Sequence, residues 1–107
     1  MISESELIEM IGPLDADALQ RWIDLGWVLP EQDADNERFD RSDVARVRLI
    51  CELHYELRIE EGSMSVVLSL LDQLYAVRRS LRTLVSAVDA QPDEVRARIA
   101  TLVRTAP

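Results

Sequence analysis

Polar and apolar positions follow one another along this chain in blocks of changing period, and the periods predict the elements. Ser3 with Glu6 three residues on is a reciprocal N-capping pattern, and Leu7, Ile8 and Ile11 supply an apolar face behind it. Gly12-Pro13 then stops this first helix. Asp15 suits the N-cap of a second helix, in which Ala18, Leu19, Trp22 and Ile23 share one face. Asp17, Gln20, Arg21 and Asp24 share the other. Two short helices joined by a tight Gly-containing turn make a helix-turn-helix unit. Gly26 ends the second helix. "WVLP" then reads as short and extended, "EQDADNE" as a polar loop and "RF" as a return, which predicts a small two-stranded wing.

Asp40 or Ser42 caps a third helix, expected to run to about Leu57. Its apolar arc is Val44, Val47, Ile50, Cys51, Leu53 and Leu57, with Glu52 and Glu56 opposite. "RIEEG" breaks the chain, and Ser63 opens the longest element, expected to reach Val88. Two stripes run along it. Val67, Leu70, Leu74, Val77, Leu81, Leu84 and Val88 alternate spacings of three and four without exception, the pattern of a heptad seam. Met64, Leu68, Leu71 and Tyr75 form a second stripe that stops there, and Arg78, Arg79, Ser80, Arg82, Thr83 and Ser86 occupy the faces beyond it. The short stripe is expected to pack on the chain's own N-terminal unit and the long seam on another helix. "DAQPDE" breaks the chain once more, and Pro92 or Asp93 starts a last helix through Arg104. Its apolar face (Val95, Ile99, Leu102 and Val103) is too small to cover the seam, so an antiparallel homodimer is the expected arrangement.

The fold class is therefore mainly α: a winged helix-turn-helix over 1–60, a long dimerisation helix over 61–90 and a C-terminal helix over 91–107. With 107 residues, 48% of them apolar, the chain suits one modest core. No apolar run approaches the length of a membrane span, and the acidic start "MISESELIEM" carries no basic-then-apolar leader. A single cysteine, Cys51, excludes an internal disulfide and suits a reducing cytoplasm. One His and one Cys cannot assemble an ordinary zinc site, and no cofactor is expected.

Charge changes the picture more. The net charge is −8, and every one of the twelve basic residues is Arg. Residues 1–45 hold twelve Asp/Glu against Arg21, Arg38 and Arg41, a balance of −9, whereas 46–107 come to +1. A DNA reader draws its affinity from cations meeting phosphates. Here the second helix and the wing "PEQDADNE" put carboxylates where those cations belong, so the expected partner is basic and direct DNA binding is not expected. Catalysis has no constellation to rest on: there is no phosphate loop, no nucleophile with a base and no metal cluster, so neither enzyme activity nor a small-molecule substrate is expected. His54 lies within the apolar arc of its helix and reads as a satisfied, half-buried histidine. Cys51, on the same arc, reads as a small apolar group. Trp22 belongs to the core, while Trp27 is either a second core indole or an exposed anchor.

The order of helix-turn-helix, wing, helix and long seam helix resembles the N-terminal domain of MerR-family regulators. "ALQRWIDLGWVLPE" sits where that family has "LRYYEKIGLL-P", and "RFDRSDVARVRLICEL" where it has "YR-YSEEDLERLRFIRAL". Further on, "HYELRIEEGSMSVVLSLLDQL", His54 to Leu74, resembles the bacterial chaperone-modulator family called CbpM, in which a "hEL" or "DL" pair is followed by a Gly and a "V-L-L-LLD" run. The Arg common at the "HYEL" position of that family is missing here. The resemblance covers roughly residues 2–85.

It implies a MerR-like fold that acts on protein. CbpM-type proteins bind the J-domain of a DnaJ-like, CbpA-type co-chaperone and restrain its stimulation of the Hsp70 chaperone DnaK; the alternative is a MerR-type DNA-binding transcriptional regulator. The partner-binding residues expected on this chain are Asp17, Gln20, Arg21, Asp24, Trp27, Glu31, Asp33, Asp35 and Glu37. The expected dimer interface is Val67, Leu70, Leu74, Val77, Leu81, Leu84 and Val88.

Overall fold

Two reciprocal capping boxes set where the first and third helices begin. In the computed structural model, which describes residues 1–107, Ser3 Oγ accepts from the Glu6 amide (3.2 Å) and Glu6 Oε1 from the Ser3 amide (3.3 Å), opening α1, Glu4–Met10. Asp40 and Asp43 exchange the same pair of bonds at 2.9 and 3.0 Å, opening α3, Arg41–Cys51. Between them Asp15 Oδ1 accepts from the Ala18 amide at 2.7 Å and opens α2, Ala16–Asp24.

The sheet is larger than the sequence suggested. Ile2–Ser3 form β1, Glu31–Asp33 form β2 and Asn36–Phe39 form β3, in the antiparallel order β1-β3-β2. Ile2 faces Phe39 and Ser3 faces Arg38 on one edge of β3; Glu31 faces Arg38 and Asp33 faces Asn36 on the other. "WVLP" is not a strand. Trp27 and Val28 are consecutive and both buried, which a half-buried strand with alternating faces cannot do, and Pro30 has no N–H to give a ladder. The hairpin therefore starts one residue after Pro30, and its turn is Ala34-Asp35.

The third helix does not stay α-helical to Leu57. After Cys51 it widens into a π turn, Glu52–Glu56, in which the Leu57 amide reaches back to the Glu52 carbonyl at 3.0 Å. Arg58 takes a left-handed conformation (φ 57°), and the Ile59 amide closes onto the Leu53 carbonyl at 2.9 Å. The wider turn changes the angular phase, so Leu57, expected on the apolar arc, is 68% exposed. The next helix, α4, begins at Glu61 rather than Ser63, because the Glu60 carbonyl already accepts from the Ser63 and Met64 amides. It runs to Asp89, and α5 follows over Asp93–Thr105.

The chain divides into two units, Met1–Leu68 and Ser69–Pro107. The first unit holds the core: Leu7, Leu19, Trp22, Val28, Phe39, Val47, Ile50, Met64 and Leu68 are fully buried or nearly so, and no charged residue joins them. Met64 and Leu68 place the opening turns of α4 in this unit, so the division falls after Leu68, inside α4. The second unit has no buried residue. Along its part of α4, Leu70, Leu74, Val77, Leu81 and Leu84 are exposed; Val67, in the first unit, and Val88 are half-buried. Tyr75, expected as the end of the covered stripe, is exposed, so full burial on that stripe ends at Leu68, with Leu71 half-buried. No helix of the chain is long and apolar enough to cross a membrane.

Candidate functional site

Burial of Ala18, Leu19 and Trp22 fixes the rotation of α2 about its axis and turns Asp17, Gln20, Arg21 and Asp24 outward. Gln20 Nε2 donates to Asp24 Oδ1 at 3.1 Å, which holds that carboxylate along the helix face. Arg21 does not stand free among them. Its guanidinium donates to Glu61 Oε1 at 2.9 Å, across to the first turn of α4. That hydrogen bond, first among several causes, holds the Glu61 carboxyl below the usual carboxylate range.

The hairpin carries the rest of the expected surface. Glu31, Asp33 and Asp35 are exposed, and Arg38 on β3 lies 3.8 Å from Asp33 Oδ2. Glu37 is half-buried; burial, then the fields of Glu4 and Asp24, raise its carboxyl above the ordinary value. Its Oε2 is out of solvent and accepts no hydrogen bond. Glu4 and Asp24 are thus each close enough to Glu37 to oppose its ionisation. Ser3, Glu4, Asp35, Asn36, Glu37 and Arg38 help line a polar cleft of about 500 Å³. Glu4 was not among the expected residues. Only the pairing of Ser3 with Arg38 brings it beside Glu37, and a two-residue strand leaves no periodic signal.

Trp27 is not an exposed anchor. It is 7% exposed, and three hydrogen bonds fix it. Its amide donates to the Trp22 carbonyl, its carbonyl accepts from Arg46 Nε, and Nε1–H donates to Ser65 Oγ, each at 2.9 Å. Gly26 (φ 78°) supplies the left-handed step that turns the chain inward here. Ring centroids of Trp22 lie 6.5 Å from Trp27, His54 and Tyr55, forming one aromatic cluster.

Over residues 2–85 the chain matches the family described as MerR HTH family regulatory protein. The chain belongs to that MerR helix-turn-helix family. Searches of curated proteins and of solved structures found no match. In a helix-turn-helix unit the second helix is the one that enters the DNA groove. In this MerR-family chain the second helix of the unit is α2, whose charges outside an ion pair are Asp17 and Asp24, and the wing adds Glu31, Asp35 and Glu37. The match ends inside α4, so α5 lies outside the family region.

The π turn explains two further residues. His54 Nδ1 lies 2.9 Å from the Ile59 carbonyl, which can only accept, so Nδ1 is the donor. Cys51 is buried, and burial pushes its thiol up to about 11, so at neutral pH it is protonated and a poor nucleophile. His54 is part of the aromatic cluster and Cys51 part of the core.

Proposed function

We propose that this protein is a chaperone modulator of the CbpM type. It binds the basic surface of the J-domain of a DnaJ-like, CbpA-type co-chaperone and so restrains stimulation of DnaK, by occupancy and without any chemical step. One observation carries the reading. At the position where the family scaffold presents its reading helix and wing, both arginines are engaged, Arg21 with Glu61 and Arg38 with Asp33, and the remaining charges are carboxylates. Such a surface repels phosphate and attracts a basic helix, raising association rate and selecting the partner.

The test is binding to the J-domain with Asp17→Lys and Asp24→Lys. Association slows and loses its salt dependence in these variants, while Arg79→Glu on α4 leaves it unchanged. Equal binding by wild type and the reversals refutes the acidic face. A sequence-dependent gel shift with duplex DNA at low salt supports the transcriptional regulator instead. We further propose a homodimer through Val67, Leu70, Leu74, Val77, Leu81, Leu84 and Val88. The support is a heptad seam most of which stands uncovered on a single chain. Leu74→Glu with Leu81→Glu yields monomers by light scattering; a wild type already monomeric at micromolar concentration refutes it.

A further inference from the structure

Complementary charge brings a partner in quickly but does little to keep it there; residence comes from apolar groups that enter the partner. With Trp27 buried, that role falls to other side chains. Between Asp24 and Glu31 the connection from α2 to β2 alternates sharply in exposure. Trp27 and Val28 are inside, while Leu25 is 55% and Leu29 is 75% exposed. This connection is not a loose loop. Leu25 is the C-cap of α2 and its amide donates to the Arg21 carbonyl at 2.9 Å. The next amides follow at 3.0 Å (Gly26 to Ile23) and 2.9 Å (Trp27 to Trp22), and Arg46 and Ser65 hold Trp27 from the other side. Leu25 is therefore presented to solvent on a backbone that has little freedom left to lose, and Leu29 stands between buried Val28 and Pro30, whose ring restricts it.

We propose that Leu25 and Leu29 are the apolar anchors of the partner-binding surface, and that they pack against the apolar side of a basic amphipathic helix whose cations meet Asp24, Glu31 and the wing. This rests on the reading of the protein as a J-domain binder and adds to it the residues that set residence time. Charge decides the occupant. Asp24 precedes Leu25 and Glu31 follows Pro30, with Asp33 and Asp35 beyond, so exposed carboxylates flank the two leucines along the chain and none of the flanking charges is a cation. The competing apolar seat is a groove of about 470 Å³ lined by residues that include Met10, Phe39, Asp40, Arg41 and Val44. Its charged side chains, Asp40 and Arg41, are one of each sign, which gives a basic helix no preference for it.

Surface plasmon resonance of the full chain against the isolated J-domain of a CbpA-type co-chaperone tests the assignment through its rate constants. Leu25→Gln and Leu29→Gln each weaken binding by about tenfold, the order expected when a largely exposed leucine is no longer covered. The loss appears as faster dissociation at unchanged association rate, the opposite of the Asp17 and Asp24 reversals. Both leucines are exposed, so the fold survives, and an unchanged circular dichroism melt checks it. Met10→Gln stays within twofold of wild type. If wild type binds and the two leucine variants bind within twofold of it, the anchors are wrong while the J-domain reading stands. If Met10→Gln alone accelerates dissociation, the groove is the seat. If wild type gives no J-domain signal, the functional reading itself falls, and the anchors with it.

Discussion

Replacing Ser65 with alanine probes how firmly the turn after α2 is held. Ser65 Oγ is the acceptor for Trp27 Nε1–H at 2.9 Å, and the indole around that group is almost wholly buried. Truncation leaves an N–H with no partner, at a cost of about 1–2 kcal/mol. Trp27→Ala is the wrong probe, because emptying an indole site costs about 3–5 kcal/mol. The unit Met1–Leu68, at roughly 0.05–0.15 kcal/mol per residue, has a total stability of only about 3–10 kcal/mol, so that variant risks unfolding outright. Trp27→Phe is milder: it keeps a ring in place, and the released Ser65 hydroxyl is exposed enough to bond water. The two changes remove one shared bond, so the double variant costs less than the sum by roughly 0.5–1 kcal/mol. Urea unfolding followed by far-ultraviolet circular dichroism measures all four proteins, provided the denaturant slope is constant. Acrylamide quenching gives an independent reading, since the chain has two tryptophans and both are buried. A Ser65→Ala midpoint equal to wild type, together with half the fluorescence quenched as freely as in a peptide, refutes the pinned turn.

Three further outcomes follow from local geometry. Ala34 holds φ 56° at the hairpin turn, so Ala34→Gly relieves left-handed strain and stabilises the protein by about 1 kcal/mol in the same urea assay. Glu37 has its carboxyl raised by burial and by Glu4 and Asp24, so in the folded state it keeps its proton to higher pH than in the unfolded chain; its contribution is favourable in acid and is lost as pH rises through the raised value. Glu37→Gln therefore raises Tm at pH 7 and gives no gain near pH 4, and an equal gain at both refutes the assignment. Cys51, with its thiol pushed up to about 11, reacts with a thiol reagent at pH 7.5 no faster than the protein unfolds.

Helix positions and caps were legible in the sequence because each rests on a local rule. Ser3 with Glu6, and Asp15 before Ala18, form their caps from residues three apart. What the sequence hid is non-local or too short to be periodic. β1 is two residues long and exists only because Arg38 and Phe39 are there to pair with it. The π turn hid for another reason: "CELHYEL" fits an α-helical arc, and what widens it is the closure by Arg58 and Ile59 beyond its end. The same holds for the candidate site. The acidic residues of α2 were placed by periodicity, whereas Glu4 reaches Glu37 through β1 and Trp27 is drawn in by Arg46 and Ser65, residues far along the chain.

A scaffold that reads DNA elsewhere can lose its positive charge here because fold and surface are separable in this unit. The core side chains, from Leu7 and Trp22 to Met64 and Leu68, include none of the carboxylates of α2 or the wing. Reversing the sign of Asp17 or Asp24 removes no packing, and the caps of α1, α2 and α3 use Ser3, Asp15 and Asp40 rather than any of the outward acids. Glu37 marks the limit of that freedom. There the acidic surface turns inward, one carboxylate oxygen goes without a hydrogen bond, and like charges on Glu4 and Asp24 oppose its ionisation. A cation from outside that approached this cleft would relieve an unfavourable group already present, whereas a phosphate would make it worse. The local electrostatics of this cleft thus disfavour an approaching anion and favour a cation.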